Sequence, residues 1–148
     1  MRAAVARGRE RLLDEMKRRG LTMICANPDK IVKKGDRMLY CAGKLAELYA
    51  ARGGEVLMAG KPFQPIYDLA LAEARRITGR QIEREDVLAI GDGPETDIRG
   101  AADYGLDALL VAEGVTDASE GLHVAEAQVL ASVPHARIGA TVHDLSWI

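Results

Sequence analysis

The sequence predicts an α/β protein built on a parallel, doubly wound sheet. Three observations carry that expectation. Short apolar runs that suit buried strands alternate with helical patterns through residues 55–111, with short connections between them. Glycines stand where helical patterns end, at Gly20, Gly53 and Gly105. The two residue groups best suited to chemistry, Gly60-Lys61-Pro62 and Gly91-Asp92, both follow a strand directly. Sheets of this kind place their sites at that carboxyl edge.

Taken in order, residues 3–19 read as a helix, with Val5, Leu12, Leu13 and Met16 on one face and Gly20 as its stop. Leu21 to Cys25 suits a buried strand, closed by the turn chemistry of Asn27-Pro28-Asp29. Ile31-Val32 and Arg37 to Tyr40 flank Lys34-Gly35-Asp36 as a small hairpin. Residues 43–52 form a second helix, with Leu45, Leu48 and Tyr49 apolar. Glu55 to Ala59 is a strand that runs into Gly60-Lys61-Pro62. Residues 65–77 form a third helix, apolar at Ile66, Leu69, Ala70, Leu71, Ala74 and Ile77. Asp86 to Ile90 is the next strand, and residues 96–104 the next helix, capped by Thr96 and closed by Gly105. Asp107 to Val111 is again a strand. Val124 to Leu130 reads as a helix and Arg137 to Ile148 as a loose end.

Composition narrows the function classes. The chain has 148 residues, 48% of them hydrophobic and 28% charged, which is the balance of an ordered globular protein. Aromatic residues are only 4%, so the core is aliphatic. A net charge of -2 gives no electrostatic footprint for nucleic acid. Cys25 and Cys41 do not form a secreted disulfide framework, so reduced thiols and a cytoplasmic location are expected. No apolar run approaches the roughly 18 residues that span a bilayer, so no membrane partner is expected. Arg2, Arg7, Arg9 and Arg11 are interleaved with Glu10, Asp14 and Glu15, which suits a solvated helix face rather than a targeting peptide.

The richer motif is Gly91-Asp92-Gly93-Pro94-Glu95-Thr96-Asp97. Asp92 falls at the strand tip and Asp97 in the first turn of the next helix. Carboxylates gathered at such a place are costly unless a cation neutralises them. Mg²⁺ fits, because it typically takes one or two carboxylates with waters and phosphate oxygens. By spacing alone, Asp97 could equally serve the helix dipole and Asp92 a turn. In Gly60-Lys61-Pro62, the glycine permits close backbone approach and the proline aims Lys61 towards an extended conformation. A lone lysine is usually a solvated charge. Lysine after one strand and paired acids after the next together suit a phosphoryl-transfer site.

These two motifs resemble the third and fourth motifs of the haloacid dehalogenase (HAD) superfamily. Thr96-Asp97-Ile98-Arg99-Gly100-Ala101 and Gly105 resemble its class IIA phosphatase branch, and Cys25-Ala26-Asn27-Pro28-Asp29 resembles that branch's cap turn. The likeness covers residues 21–116. It implies that residues 1–58 are the C-terminal part of an inserted α/β cap domain. Residues 59–148 would be the C-terminal half of a HAD-like, Rossmann-like parallel-sheet core. It further implies Mg²⁺-dependent hydrolysis of small phosphate monoesters through an aspartyl-phosphate. Lys61 would hold phosphate, Asp92 would ligate the metal with Asp97 in support, and Asn27, Asp29 and Pro62 would bear on substrate. Gly60, Gly91, Gly93 and Thr96 would shape the loops.

The family's nucleophile is the first acid of an Asp-x-Asp pair, and no two aspartates here are separated by a single residue. The expectation is therefore a C-terminal piece, inactive and marginally stable alone, whose exposed half-sheet shows apolar surface. The alternative is a non-catalytic module that binds Mg²⁺ or phosphate. A receiver-like or nucleotide-binding domain ranks lower, for want of a glycine-rich phosphate loop. The partner expected is a small phosphorylated metabolite, with self-association of the intact enzyme left open. His123, His135 and His143 have no ligand spacing, Trp147 reads as packing, and Tyr67 and Tyr104 need no special role.

Overall fold

The computed structural model describes residues 2–34, 37–112, 116 and 118–146. The chain forms two compact units, Met1–Gly60 and Lys61–Ile148.

The first unit opens with α1 (Arg2–Arg18). Gly20 follows it in the left-handed region at φ 66, as expected of a helix stop. Strand β1 (Met23–Cys25) comes next, then the hairpin β2 (Ile31–Lys34) and β3 (Arg37–Tyr40), then α2 (Ala42–Ala50) and β4 (Val56–Met58). The hairpin strands pair Ile31 with Tyr40 and Val32 with Leu39, while the turn at Gly35-Asp36 lies outside the described residues. Strands β1 and β4 pair in parallel, Met23 with Val56 and Cys25 with Met58. Two details differ from the apolar faces read in the sequence. Leu13 is buried but its neighbour Leu12 is exposed, because adjacent helical positions point about 100° apart. Helix α2 buries Gly43, Ala46 and Tyr49, whereas Leu48 is exposed. The Tyr49 hydroxyl, donating to the Leu21 carbonyl, supplies the polar contact that lets the ring sit fully inside.

The second unit begins with α3 (Gln64–Thr78) and a 3₁₀ turn at Arg84–Asp86. Strand β5 (Leu88–Gly91) leads through a π turn at Pro94–Ile98 into α4 (Arg99–Tyr104). Then come β6 (Asp107–Val111), α5 (Leu122–Ser132) and β7 (Arg137–Val142). The sheet order is β5-β6-β7, all parallel. Gly105 closes α4 at φ 83, the left-handed position where a Cβ would be strained.

Three expectations are corrected here. Strand β4 does not continue the β5 sheet: it pairs with β1, so Lys61 opens the second unit rather than ending a strand of that sheet. The expected loose end is in part β7. Its alternation is broken by Gly139, and the register slips past that residue, pairing Ala108 with Ile138 and Leu109 with Ala140. Thr96 is not the helix cap. Pro94, which lacks an N–H, starts the helical run two residues earlier, so Gly93 occupies the cap position without any side-chain cap bond.

The core of this unit is Ile98, Ala101, Tyr104, Leu106, Ala108, Leu110 and Val129, with Tyr67, Leu71, Ala89 and Ile138 packed against it. Register puts Ala89, Ala108 and Ile138 on one sheet face. On the other face Leu88 and Ile90 of β5 are half exposed. Helix α3 buries no residue fully, and its Leu69 and Ile77 are 58% and 72% exposed. The expected apolar surface is therefore present. Among the described residues, no helix is long and apolar enough to cross a membrane.

Candidate active site

The site is built at the carboxyl end of β5. Gly91 ends the strand, Asp92 follows, and Gly93-Pro94 turns the chain into the π turn that carries Asp97. A Cβ on Gly91 would lie 2.4 Å from both Cβ and Cγ of Asp97. Only glycine lets the strand end and the acid share that space. A Cβ on Gly93 would lie 2.3 Å from Thr96 Oγ1. Here glycine admits Thr96 to the inside of the turn, which is the role this threonine has instead of capping.

The Asp97 carboxylate is held on both oxygens. Oδ2 accepts the Gly93 N–H at 3.0 Å, and Oδ1 accepts from Lys61 Nζ in a close ion pair. The Asp97 side chain is only 12% exposed, whereas that of Lys61 is 54% exposed. The lysine therefore brings its charge from solvent to a nearly buried acid. The peptide bond between Lys61 and Pro62 is cis. The Lys61-Pro62 loop is set against α4 by Gly100, whose missing Cβ would otherwise lie 2.9 Å from Pro62 Cα and 2.1 Å from Tyr67 Oη. Behind it Tyr67 stacks on Tyr104 with ring centroids 5.2 Å apart. The Arg84 guanidinium sits 4.4 Å above the Tyr104 ring, and the Tyr104 hydroxyl donates to Asp68 at 2.7 Å. Burial, followed by the negative charges of Asp97 and Asp103, pushes the Tyr67 phenol up to about 12. The Tyr104 phenol is also raised, first by its bond to Asp68 and then by burial.

Asp92 is tied through its main chain: its carbonyl accepts the Thr116 hydroxyl at 2.7 Å. For a metal ion, the donor set fits in part. Mg²⁺ needs few protein carboxylates, and Asp92 at a strand tip is a suitable one. Both Asp97 oxygens are already engaged, which suits support rather than direct ligation. Among the described residues, no group of three or more His, Cys, Asp or Glu side chains could hold a metal. A cavity of ≈ 440 Å³ in the same unit is lined by Pro62, Phe63, Gln64, Arg99, Asp103 and Tyr104. Its lining includes none of Lys61, Asp92 and Asp97.

The structure thus gathers Lys61, Pro62, Gly91, Gly93, Thr96 and Asp97 around the loop of Asp92. Asn27, Asp29 and Gly60 belong to the first unit. There the Asn27 side chain accepts the Asp29 N–H at 3.1 Å, an Asx turn. The missing Cβ of Gly60 makes room for this turn, lying 2.1 Å from the Ala26 carbonyl oxygen and 2.7 Å from Pro28 Cδ. Gly43 does the same from α2, 1.9 Å from the Pro28 carbonyl oxygen. Thr116 was not singled out in the sequence, Tyr67 was read as needing no special role, and Gly100 stood only within the run that resembles the class IIA branch. Their partners lie between 24 and 38 residues away, a separation at which no periodic pattern gives a signal.

Comparison with known proteins bears on this geometry. The HAD-hydrolase-like family model matches residues 58–136, which include both site motifs. A dihydroxyacetone phosphatase of Corynebacterium glutamicum is 32% identical over 102 residues, covering 68% of this chain and 35% of that protein. An acid sugar phosphatase of Staphylococcus haemolyticus is 30% identical over 104 residues, covering 70% and 37%. The crystal structure of a haloacid dehalogenase-like hydrolase from Brucella suis superposes with a TM-score of 0.63 at 41% identity, over 93% of this chain and 49% of that one. The chain spans about a third of the length of these curated relatives. On its strand-tip Asp92, its lysine loop and the family match across them, this chain belongs to the HAD-hydrolase-like family, and phosphatases are among the proteins similar to it.

Proposed function

We propose that this chain supplies the phosphate- and metal-holding half of a class IIA HAD phosphatase site that hydrolyses small phosphate monoesters. The carrying observation is the Lys61–Asp97 ion pair, anchored through the Gly93 N–H to the loop that presents Asp92. In this reading Lys61 offers its ammonium to the phosphate oxygens, and Asp97 keeps that ammonium in place. Asp92 is the carboxylate that would hold Mg²⁺, and Asp97 backs the loop without ligating directly. When bound, the ion supplies charge neutralisation at the phosphoryl oxygens. Asn27 and Asp29 bear on the leaving group, and so on substrate choice. Sugar phosphates are the favoured class, because the similar proteins from Corynebacterium glutamicum and Staphylococcus haemolyticus carry such names. Residues 1–58 are read as cap and 59–148 as core. The boundary between Gly60 and Lys61, and a family match beginning at residue 58, support that division.

The covalent step needs an Asp-x-Asp nucleophile that these 148 residues do not contain. This favours a second reading, in which the chain binds Mg²⁺ and phosphate without turnover. Both readings require the ligands to bind here. Titration of the isotopically labelled chain with Mg²⁺ and inorganic phosphate, followed by amide NMR, is expected to shift Asp92, Gly93 and Lys61 first. Saturating ligand with no shift at these residues would overturn both readings.

A further inference from the structure

We propose that Thr116 is a positioning residue for the Asp92 carboxylate. It acts by holding the Asp92 main chain through a hydrogen bond separate from the one that Asp97 makes to the loop. This rests on the reading of Asp92 as a metal-holding acid.

Three observations carry it. Asp92 lies between Gly91 and Gly93, and two flanking glycines impose little backbone restraint of their own. The direction of its carboxylate therefore depends on bonds reaching the loop from elsewhere. One comes from Asp97, whose Oδ2 takes the Gly93 N–H at 3.0 Å. Another comes from Thr116, whose Oγ1 donates to the Asp92 carbonyl at 2.7 Å, across 24 residues of chain.

The second observation is burial. Thr116 is 6% exposed, the one buried polar side chain among the described residues. A buried hydroxyl is costly unless it is bonded, and a valine of the same shape would fill the space without that cost. Keeping the hydroxyl is therefore worthwhile only for the bond that it makes. The third is the bond's target. It reaches the carbonyl of the acid itself, not a neighbouring turn, so it restrains rotation about the Asp92 backbone where the side chain originates.

The test uses the whole chain with Thr116→Val, Thr116→Ala and Thr116→Ser. Amide exchange by NMR is read at Gly93, with Ala108 and Leu110 of β6 as internal controls. The valine and alanine variants are expected to speed exchange at Gly93 about fivefold to tenfold, the equilibrium worth of one hydrogen bond. Exchange at Ala108 and Leu110 stays unchanged, and serine restores the wild-type rate at Gly93. Unchanged Gly93 exchange, equal acceleration at Gly93 and Leu110, or loss of folding in both valine and alanine variants would overturn the proposal. Line broadening by Mn²⁺ is read in parallel. The wild type is expected to broaden at Asp92 and Gly93, and Thr116→Val to need several-fold more Mn²⁺. If the wild type does not broaden there, the metal reading of Asp92 fails, while the exchange rates still decide whether Thr116 holds the loop.

Discussion

Gly100 shows how far a single missing methyl group can shape this site. Its Cα faces Tyr67 and Pro62 so closely that alanine must displace one of them. Overpacking of this kind costs about 1–3 kcal/mol. Gly100→Ala is expected to lose stability within that range in urea unfolding, and to move the Lys61 resonances, because the loop bearing Lys61 is what gives way. An alanine variant with wild-type midpoint and unshifted Lys61 would show that the contact is not a constraint. Tyr67 adds a pH dependence. Its phenol titrates near 12 in the fold against about 10 in an unfolded chain. A pKa raised on folding means that the folded state holds the proton longer. The contribution is fully present below about pH 10, then lost as pH rises towards 12. Stability should fall across that window, and Tyr67→Phe should make the fall shallower. Equal slopes in both proteins would refute the assignment. Lys61 and Asp92 stood out in the sequence because each closely follows a strand, and Asp97 because it opens the next helical run. Thr116 and the packing contacts of Gly100 were not legible there, since the meaning of each lies in a partner brought near only by folding.

Among the elements, α3 was read correctly in extent, but several of its apolar residues do not join the core. Of its apolar positions, Leu71 packs against the core cluster while Leu69 and Ile77 face solvent. A helical pattern states which residues share a face, not whether anything covers it. Leu69→Gln and Ile77→Lys are therefore expected to change unfolding free energy by no more than about 0.5 kcal/mol. Leu110→Ala, at a fully buried position in β6, should cost about 2–5 kcal/mol. Chemical denaturation of the three variants checks the contrast, and a large loss at Ile77 would mean that its face is covered in solution. Strand β7 escaped the sequence because Gly139 interrupts the alternation that marks a strand. Strand β4 was recognised, but the alternation through residues 55–111 could not say that it pairs with β1, since apolar runs reveal a strand without naming its neighbour. The π turn at Pro94–Ile98 likewise gives no local pattern distinct from the start of an α-helix, yet it is what brings Asp97 back over Gly91.

At the scale of the molecule, two compact units carry different parts of the proposed chemistry: the Asn27-Pro28-Asp29 turn in one, the lysine and acids in the other. The α/β class was legible from the alternation of strand and helix patterns, and the family from two short motifs. The pairing of strands was less legible, because it depends on contacts between distant segments. The purified chain, lacking an Asp-x-Asp pair, is expected to hydrolyse p-nitrophenyl phosphate no faster than buffer with Mg²⁺. The most direct test of the central claim supplies the missing chemistry. The portion of the Corynebacterium glutamicum dihydroxyacetone phosphatase that aligns with this chain would be replaced by it, and turnover of a triose phosphate measured. The folded chimera is predicted to turn over. Lys61→Met or Asp92→Asn should each reduce kcat by about 10²-fold or more, the scale of losing one transition-state charge partner. A folded chimera whose turnover is untouched by either substitution would contradict the claim that these residues hold phosphate and metal.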